Sequence, residues 1–176
     1  MVLKTKKLII KTINLPYLNT TTKKDVEAMA RLGYNVDADW PGPVYLEILP
    51  YLRDVVECQG GTGNGFGPWI VVERYSRHAV GSVGFSGDPD ENGNLILGLG
   101  ILPAERRKGY AFEAMSILIE WAFSRASVFA IEAECLDSNT AASRLLIKLG
   151  FTEMERAGTI IRWKRLPSLS VLSHFY

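Results

Sequence analysis

The chain has 176 residues, 47% of them hydrophobic, and its 20 lysines and arginines nearly balance 19 aspartates and glutamates, for a net charge of +1. That length buries one core and no composition shift or long linker divides it, so a single domain over residues 1–166 with a short tail at 167–176 is expected. The balanced charge excludes bulk electrostatic binding to nucleic acid or an anionic membrane and confines any anion site to a local cluster.

Two cysteines, Cys58 and Cys135, stand outside any CxxC pattern, and the histidines are His78 and His174, so neither a disulfide framework nor a metal site is indicated. The lysine-rich opening MVLKTKKLIIKT has an apolar core of Leu8, Ile9 and Ile10, too short for a signal peptide or a membrane segment. A soluble, cytoplasmic protein is expected.

In chain order, residues 7–13 alternate as a strand, and Thr20 to Thr22 offer N-caps for a helix running to Leu32 and ended by Gly33. Residues 44–57 read as a second helical segment, interrupted at Pro50, with Leu46, Leu49, Leu52, Val55 and Val56 on its buried side. The run GGTGNGFGP at 60–68 is too glycine-dense for an element and reads as a flexible loop. It lacks the Lys-Ser/Thr ending of a phosphate loop and leads into a strand, which disfavours a nucleotide-loop reading.

Strands then follow at WIVVERY (69–75), AVGSVGF (79–85) and LILGLGIL (95–102), joined by turn sequences into an antiparallel meander. A helix from about Lys108 to Arg125 places Ala111, Ala114, Met115, Leu118, Ile119, Ala122 and Phe123 on one buried stripe. After it come a strand at 128–135, a helix from Asn139 to Leu149 ended by Gly150, and strands at 151–156 and 159–165. The class is α+β, with one strand-helix-strand unit in its middle.

The segment ERRKGYAFEA joins a strand's carboxyl end to a helix start, and it sets Arg106, Arg107 and Lys108 where the helix already presents its positive end. That is unfavourable without an anion, and ligands bind at such junctions in open sheets. Gly109 lets a diphosphate approach the backbone, small Ala111 keeps the first turn open, and N–H groups from Arg107 through Tyr110 to Ala111 can face phosphate oxygens. Arg106 and Lys108 can neutralise the outer charges. Taken alone, the same residues also fit a solvated charge cluster.

ILPAERRKGYA resembles the acetyl-CoA signature of the GNAT superfamily of N-acetyltransferases, in which a hydrophobic strand end and a proline precede Arg/Gln-x-x-Gly-x-Gly/Ala, here Arg106 to Gly109 and Ala111. DSNTAASRLLIKLGF resembles the family's second block, an asparagine opening a helix that ends in Lys-Leu-Gly-Phe, here Asn139 and Lys148 to Phe151. The wording is most similar to the branch of ribosomal-protein N-terminal acetyltransferases. The resemblance is good over residues 69–165 and loose over the first 60.

It implies a GNAT-like acyl-CoA N-acyltransferase fold: a mixed, mostly antiparallel central sheet flanked by helices and splayed between strands 95–102 and 128–135. It implies acetyl-CoA as cosubstrate, no metal, pantetheine bonded to strand backbone near Ile101 and Leu102, and an amine attacking the thioester directly. Asn139 then bonds the pantetheine arm or a water, or serves only as an N-cap.

Many relatives protonate the departing sulfur with a tyrosine seven residues after the asparagine, but that position is Leu146. Ser143, nearly on the same helix face, is a substitute acid or simply a small residue. Relatives often carry a glutamate on the strand before the cofactor loop, where LILGLGI has none. Glu134, with Glu132 on the same strand face and Glu73 as a weaker candidate, is a substitute base or a solvated carboxylate.

Tyr110, Trp40, Trp69 and Trp163 are candidates for the acceptor pocket or the core, and loops 33–45 and 59–68 for acceptor selection. The expected partners are an amine substrate, either a small molecule or a protein N-terminus, with no nucleic acid and no membrane; a homodimer stays open. The missing acid and base also leave room for a non-catalytic acyl-CoA sensor or interaction module, or for a nucleotide-binding protein using the same loop.

Overall fold

The computed structural model describes residues 1–37 and 40–168. The expected tail beyond Ser168, with His174, and two positions of the 33–45 loop lie outside the described residues. The elements are β1 (Val2–Lys4), β2 (Leu8–Thr12), α1 (Leu15–Thr22), α2 (Val26–Arg31), α3 (Pro43–Cys58), β3 (Pro68–Glu73), β4 (Ala79–Phe85), β5 (Asn94–Ile101), α4 (Tyr110–Phe123), β6 (Ala130–Leu136), α5 (Thr140–Lys148), β7 (Thr152–Ala157) and β8 (Ile160–Arg165).

Eight strands form one sheet in the order β1-β2-β3-β4-β5-β6-β8-β7, antiparallel except for the β5–β6 pair. Parallel pairing there follows from α4, which returns the chain to the end from which β5 started. Both sheet faces are covered. On β3, Trp69 and Val71 join the core under α4 and α5, while Ile70 and Val72 join a second cluster with α1 to α3, which is why the strand reads as an unbroken apolar run.

The single helix expected from Thr20 to Leu32 is two helices. Asn14 caps α1, its Oδ1 accepting from the Tyr17 N–H at 3.1 Å, and Asp25 caps α2 through the Ala28 N–H at 2.8 Å. The threonines lie at the C-terminal end of α1, where Thr20 and Thr22 hydroxyls bond back to the carbonyls of Pro16 and Leu18. Threonine serves either end of a helix, so its presence alone did not fix polarity.

Pro50 stays inside α3 on its exposed side, while Leu49, Leu52, Val55 and Val56 are buried and Leu46 packs partly buried against their cluster. The 60–68 loop is tied down, with the Trp69 Nε1–H donating to the Gly65 carbonyl at 2.8 Å and the Leu15 N–H to the Gly61 carbonyl. Strand β1 was not expected. It is three residues long and pairs only with β2, too short for alternation to reveal it.

Candidate active site

Strands β5 and β6 pair over three positions, Asn94 with Ala130 through Ile96 with Glu132, and then part. Beyond that point, among the described residues, β5 keeps only β4 as neighbour and β6 only β8, so a gap opens towards their carboxyl ends. In the antiparallel ladder with β4, the bonded β5 groups include the Ile96 carbonyl, taken by the Ser86 N–H, and the Leu102 N–H, which donates to the Val80 carbonyl. Alternation therefore aims the backbone groups of Leu97, Leu99 and Ile101 into the gap. The family resemblance points to Leu102 beside Ile101, but Leu102 is turned towards β4 and packs on the α1–α3 side. Leu97 and Leu99 were missed because ladder parity depends on which neighbour a strand takes.

The gap ends at the cationic loop. Pro103–Glu105 makes one 3-10 turn, and Arg107 and Gly109 both have left-handed φ, 65° and 86°. Gly109 precedes α4 with no side-chain cap, and the first intrahelical bond runs from the Glu113 N–H to the Gly109 carbonyl. The N–H groups of Tyr110, Ala111 and Phe112 consequently have no helical acceptor. A Cβ at Gly109 would find only the Lys7 ammonium within reach, at 3.8 Å, so the approach to the backbone is open.

The three loop cations differ. The Arg106 Nε–H donates to the Ile101 carbonyl at 3.1 Å, and Lys108 bonds both Glu105 oxygens at 3.0 Å. Arg107 is exposed and has no ion-pair partner among the described residues. Arg106 and Lys108, expected to neutralise outer charges, are thus engaged within the protein, and Arg107 is not ion-paired among the described residues. Tyr110 is half-buried against the core, and burial raises its phenol above the usual range.

Across the gap, Asn139 caps α5, accepting from the Ala142 N–H at 3.1 Å. Ser143 Oγ lies 3.6 Å from Cys135 Sγ, and the Trp163 Nε1–H donates to the same sulfur at 3.3 Å. Leu146 is 4% exposed and packs in the core, so the position held by an acid in relatives is filled by apolar contacts here. Cys135 was passed over as a site residue because a lone cysteine carries no motif.

Glu134 lies on the opposite face of β6 from Cys135. Its Oε1 accepts from Arg162 Nε at 2.9 Å, in register across the β6–β8 pair, and Glu132 meets Lys164 likewise at 3.0 Å. These are cross-strand ion pairs. Glu134, in first place, keeps the Arg162 guanidinium above its ordinary pKa. Glu73 closes the β3–β4 turn, accepting from Ser76 N–H and hydroxyl and from the Tyr75 N–H, with the Ser76 N–H chiefly holding its carboxyl below the usual value. None of these three carboxylates bonds Ser143, whose hydroxyl contacts Cys135 and the Asn139 carbonyl.

Of the aromatic candidates, Trp69 is fully buried and lies edge-on to half-buried Trp121, and Trp163 is buried against Cys135. Trp40 sits on the α1–α3 side beside Tyr45, ring centroids 6.2 Å apart. The Trp40 indole N–H and the phenols of Tyr17 and Tyr45 are buried without an aligned hydrogen bond, although Tyr45 approaches Tyr17 and Ser82. Burial, before any other cause, pushes both phenols up. Ser82 pairs with Gly100, and on that face β5 shows bare Gly98 and Gly100 to solvent. Tyr17, Tyr45 and Ser82 were not legible as a set, since they come from three separate elements.

The GNAT acetyltransferase domain family matches residues 17–152. The chain belongs to that family. Over 163 residues, 93% of this chain and 96% of the other, it is 38% identical to the N-acetyltransferase YjdG of Bacillus subtilis strain 168, itself described as uncharacterized. The GNAT fold is shared with RimL, a ribosomal-protein α-N-acetyltransferase solved in complex with coenzyme A, at a TM-score of 0.68 and 13% identity over 94% of this chain and 98% of that one. It is shared too with spermidine N-acetyltransferase from Vibrio cholerae, solved with CoA and spermine, at 0.61 and 15% over 92% and 96%. Among the described residues of this GNAT chain no His/Cys/Asp/Glu group could hold a metal ion, and no helix is long and apolar enough to cross a membrane.

Proposed function

We propose that the chain moves an acetyl group from acetyl-CoA to a primary amine by direct attack on the thioester. The observation that carries this is the gap between β5 and β6 leading to the uncapped N-terminus of α4. The donor fits the residues present: a diphosphate meets bare Gly109, the unpaired N–H groups of the first turn and Arg107, and an amide-bearing arm meets the backbone of Leu97, Leu99 and Ile101 as an added strand would.

Ser143, at the Cys135 end of the gap, relays a proton to the departing thiolate as its hydroxyl takes up the one the attacking amine loses. A thiol of reference pKa about 8.5 is a tolerable leaving group, so this proton assists the step without being indispensable. Glu134 is held by Arg162, Glu132 by Lys164 and Glu73 by its own turn, so none of the three candidate carboxylates is dedicated to deprotonating the amine. That favours an acceptor already partly neutral near pH 7.5, such as a peptide α-amine of reference pKa about 7.7–8.0, over an alkylamine at about 10.4. A protein N-terminus, the acceptor type of RimL, is the preferred reading over a polyamine, the acceptor type of the Vibrio cholerae enzyme.

Release of free thiol from acetyl-CoA with peptides beginning in serine or alanine, and with spermidine, tests this. Turnover of the peptides rising through the α-amine pKa is expected. Tight CoA binding with no thiol released by any amine identifies a sensor instead. Gly109→Ile places a β-branched side chain at a left-handed position in the diphosphate's path, and CoA binding should be lost while the fold survives by circular dichroism.

A further inference from the structure

Three polar groups in the α1–α3 cluster are buried without an aligned hydrogen bond: the indole N–H of Trp40 and the phenols of Tyr45 and Tyr17. These residues are 4%, 9% and 2% exposed, and they adjoin one another, Trp40 beside Tyr45 and Tyr45 within reach of both Tyr17 and the Ser82 hydroxyl. Buried donors without acceptors are rare in folded proteins and mark a place that water or a ligand completes. The Trp40 indole is the most demanding of the three, since it can only donate, whereas each phenol can also accept.

The cluster lies at the mouth of the gap. Gly42, two residues past Trp40, sits against the end of β5, where an added Cβ would come within 3.9 Å of the Leu102 side chain. Half-buried Ser82 pairs with Gly100, and Gly98 and Gly100 leave β5 bare on this face, so the cluster meets solvent beside the strand that edges the gap.

We propose that Trp40 and Tyr45 are specificity-determining residues for the acceptor, and that they bind an uncharged oxygen carried within a few bonds of its amine. The inference rests on the acetyl transfer proposed above and adds what the amine must carry. Burial keeps both phenols protonated and the indole has no charge, so the set suits a neutral partner. The groups acting on the two phenols are Tyr34, Thr21, Ser82 and each other, none of them a carboxylate that would hold a second ammonium. A protein N-terminus offers such an oxygen from two sources, the first peptide carbonyl or the hydroxyl of a first serine or threonine. A plain alkylamine offers neither, and binding it leaves the buried donors unpaired.

Thiol release with alanine-first and serine-first peptides and with isopropylamine tests this, because isopropylamine keeps the amine and methyl of alanine but has no oxygen. In Trp40→Phe, kcat/KM for both peptides should fall about tenfold, while that for isopropylamine stays within about twofold. Comparing each acceptor between the native and variant chains cancels the difference in amine pKa. A larger loss for the serine peptide assigns the oxygen to its hydroxyl and equal losses assign it to the peptide carbonyl; both support the site. Peptide rates untouched by Trp40→Phe, or an equal fall for isopropylamine, overturn it and leave acetyl transfer intact. If no amine releases thiol, transfer and site fall together. Should Trp40→Phe fail to fold, Tyr45→Phe carries the same comparison. The native chain gives a readout independent of rates. The indole N–H groups of Trp69 and Trp163 are already bonded, so a different indole proton resonance should move downfield when the alanine peptide joins the CoA complex. A spectrum in which no indole moves overturns the site.

Discussion

Glu134 and Ser143 both fit a catalytic role by residue type, and their neighbours separate them. Glu134 faces Arg162 across a solvated ladder, and Ser143 touches Cys135 at the end of the gap. Ser143→Ala should lower kcat between about 10-fold and 100-fold, while Glu134→Gln stays within about twofold, both read by thiol release at saturating acetyl-CoA. Glu73 makes a different prediction. Its folded pKa is depressed, chiefly by the Ser76 N–H, so its contribution is fully present above the unfolded value of about 4.3 and is lost as pH falls through the folded value. Thermal melts should show Glu73→Gln below the native chain at pH 7, by less than about 1 kcal/mol, with the difference vanishing at lower pH.

At the scale of elements, periodicity was a sound guide where a helix or strand buries one continuous face. The α4 stripe from Ala114 to Phe123 packs in the core as spaced, with Ala111 left half-buried in the first turn, and AVGSVGF coincides with β4. It was a poor guide at termini, where a threonine can cap or back-bond and a three-residue strand leaves no pattern. Asn139 shows one residue serving an element whatever else it does. Asn139→Ala should cost about 1 kcal/mol by orphaning the Ala142 N–H. A melt lowered by about 2–4 °C checks that cost. A weakened CoA affinity beside it would show that the same side chain also holds the pantetheine arm.

Across the whole molecule, the gap has two sides, with α4 and α5 packed on one and the α1–α3 cluster on the other. Gly100 bares β5 on the second side, where an added Cβ would meet only the Ser82 hydroxyl, at 4.0 Å. Gly100→Val should therefore keep its stability within about 1 kcal/mol, because valine suits a strand with room for it. The 33–45 loop expected to select the acceptor contributes Tyr34, Trp40 and Tyr45 to this side, so an amine entering here predicts unchanged CoA affinity and acceptor turnover reduced about tenfold or more. A calorimetric titration together with a rate separates the donor side from the acceptor side in one variant.

What the sequence determined by itself was local: glycine and cations at a strand-helix junction, an asparagine opening a helix, and apolar spacing that sets element type. Those features depend on neighbours a few residues away, so the family and the splayed sheet were legible from two motifs and their separation. Only the tertiary structure decided that Leu97 and Leu99 join Ile101 in facing the gap while Leu102 turns towards β4, that Arg162 occupies Glu134, and that Lys7 reaches the loop at Lys108. Each of those depends on which strand lies beside which, or on a contact between distant segments, 101 positions apart for Lys7 and the Lys108 carbonyl. No local period encodes such contacts; packing of the sheet against its helices creates them.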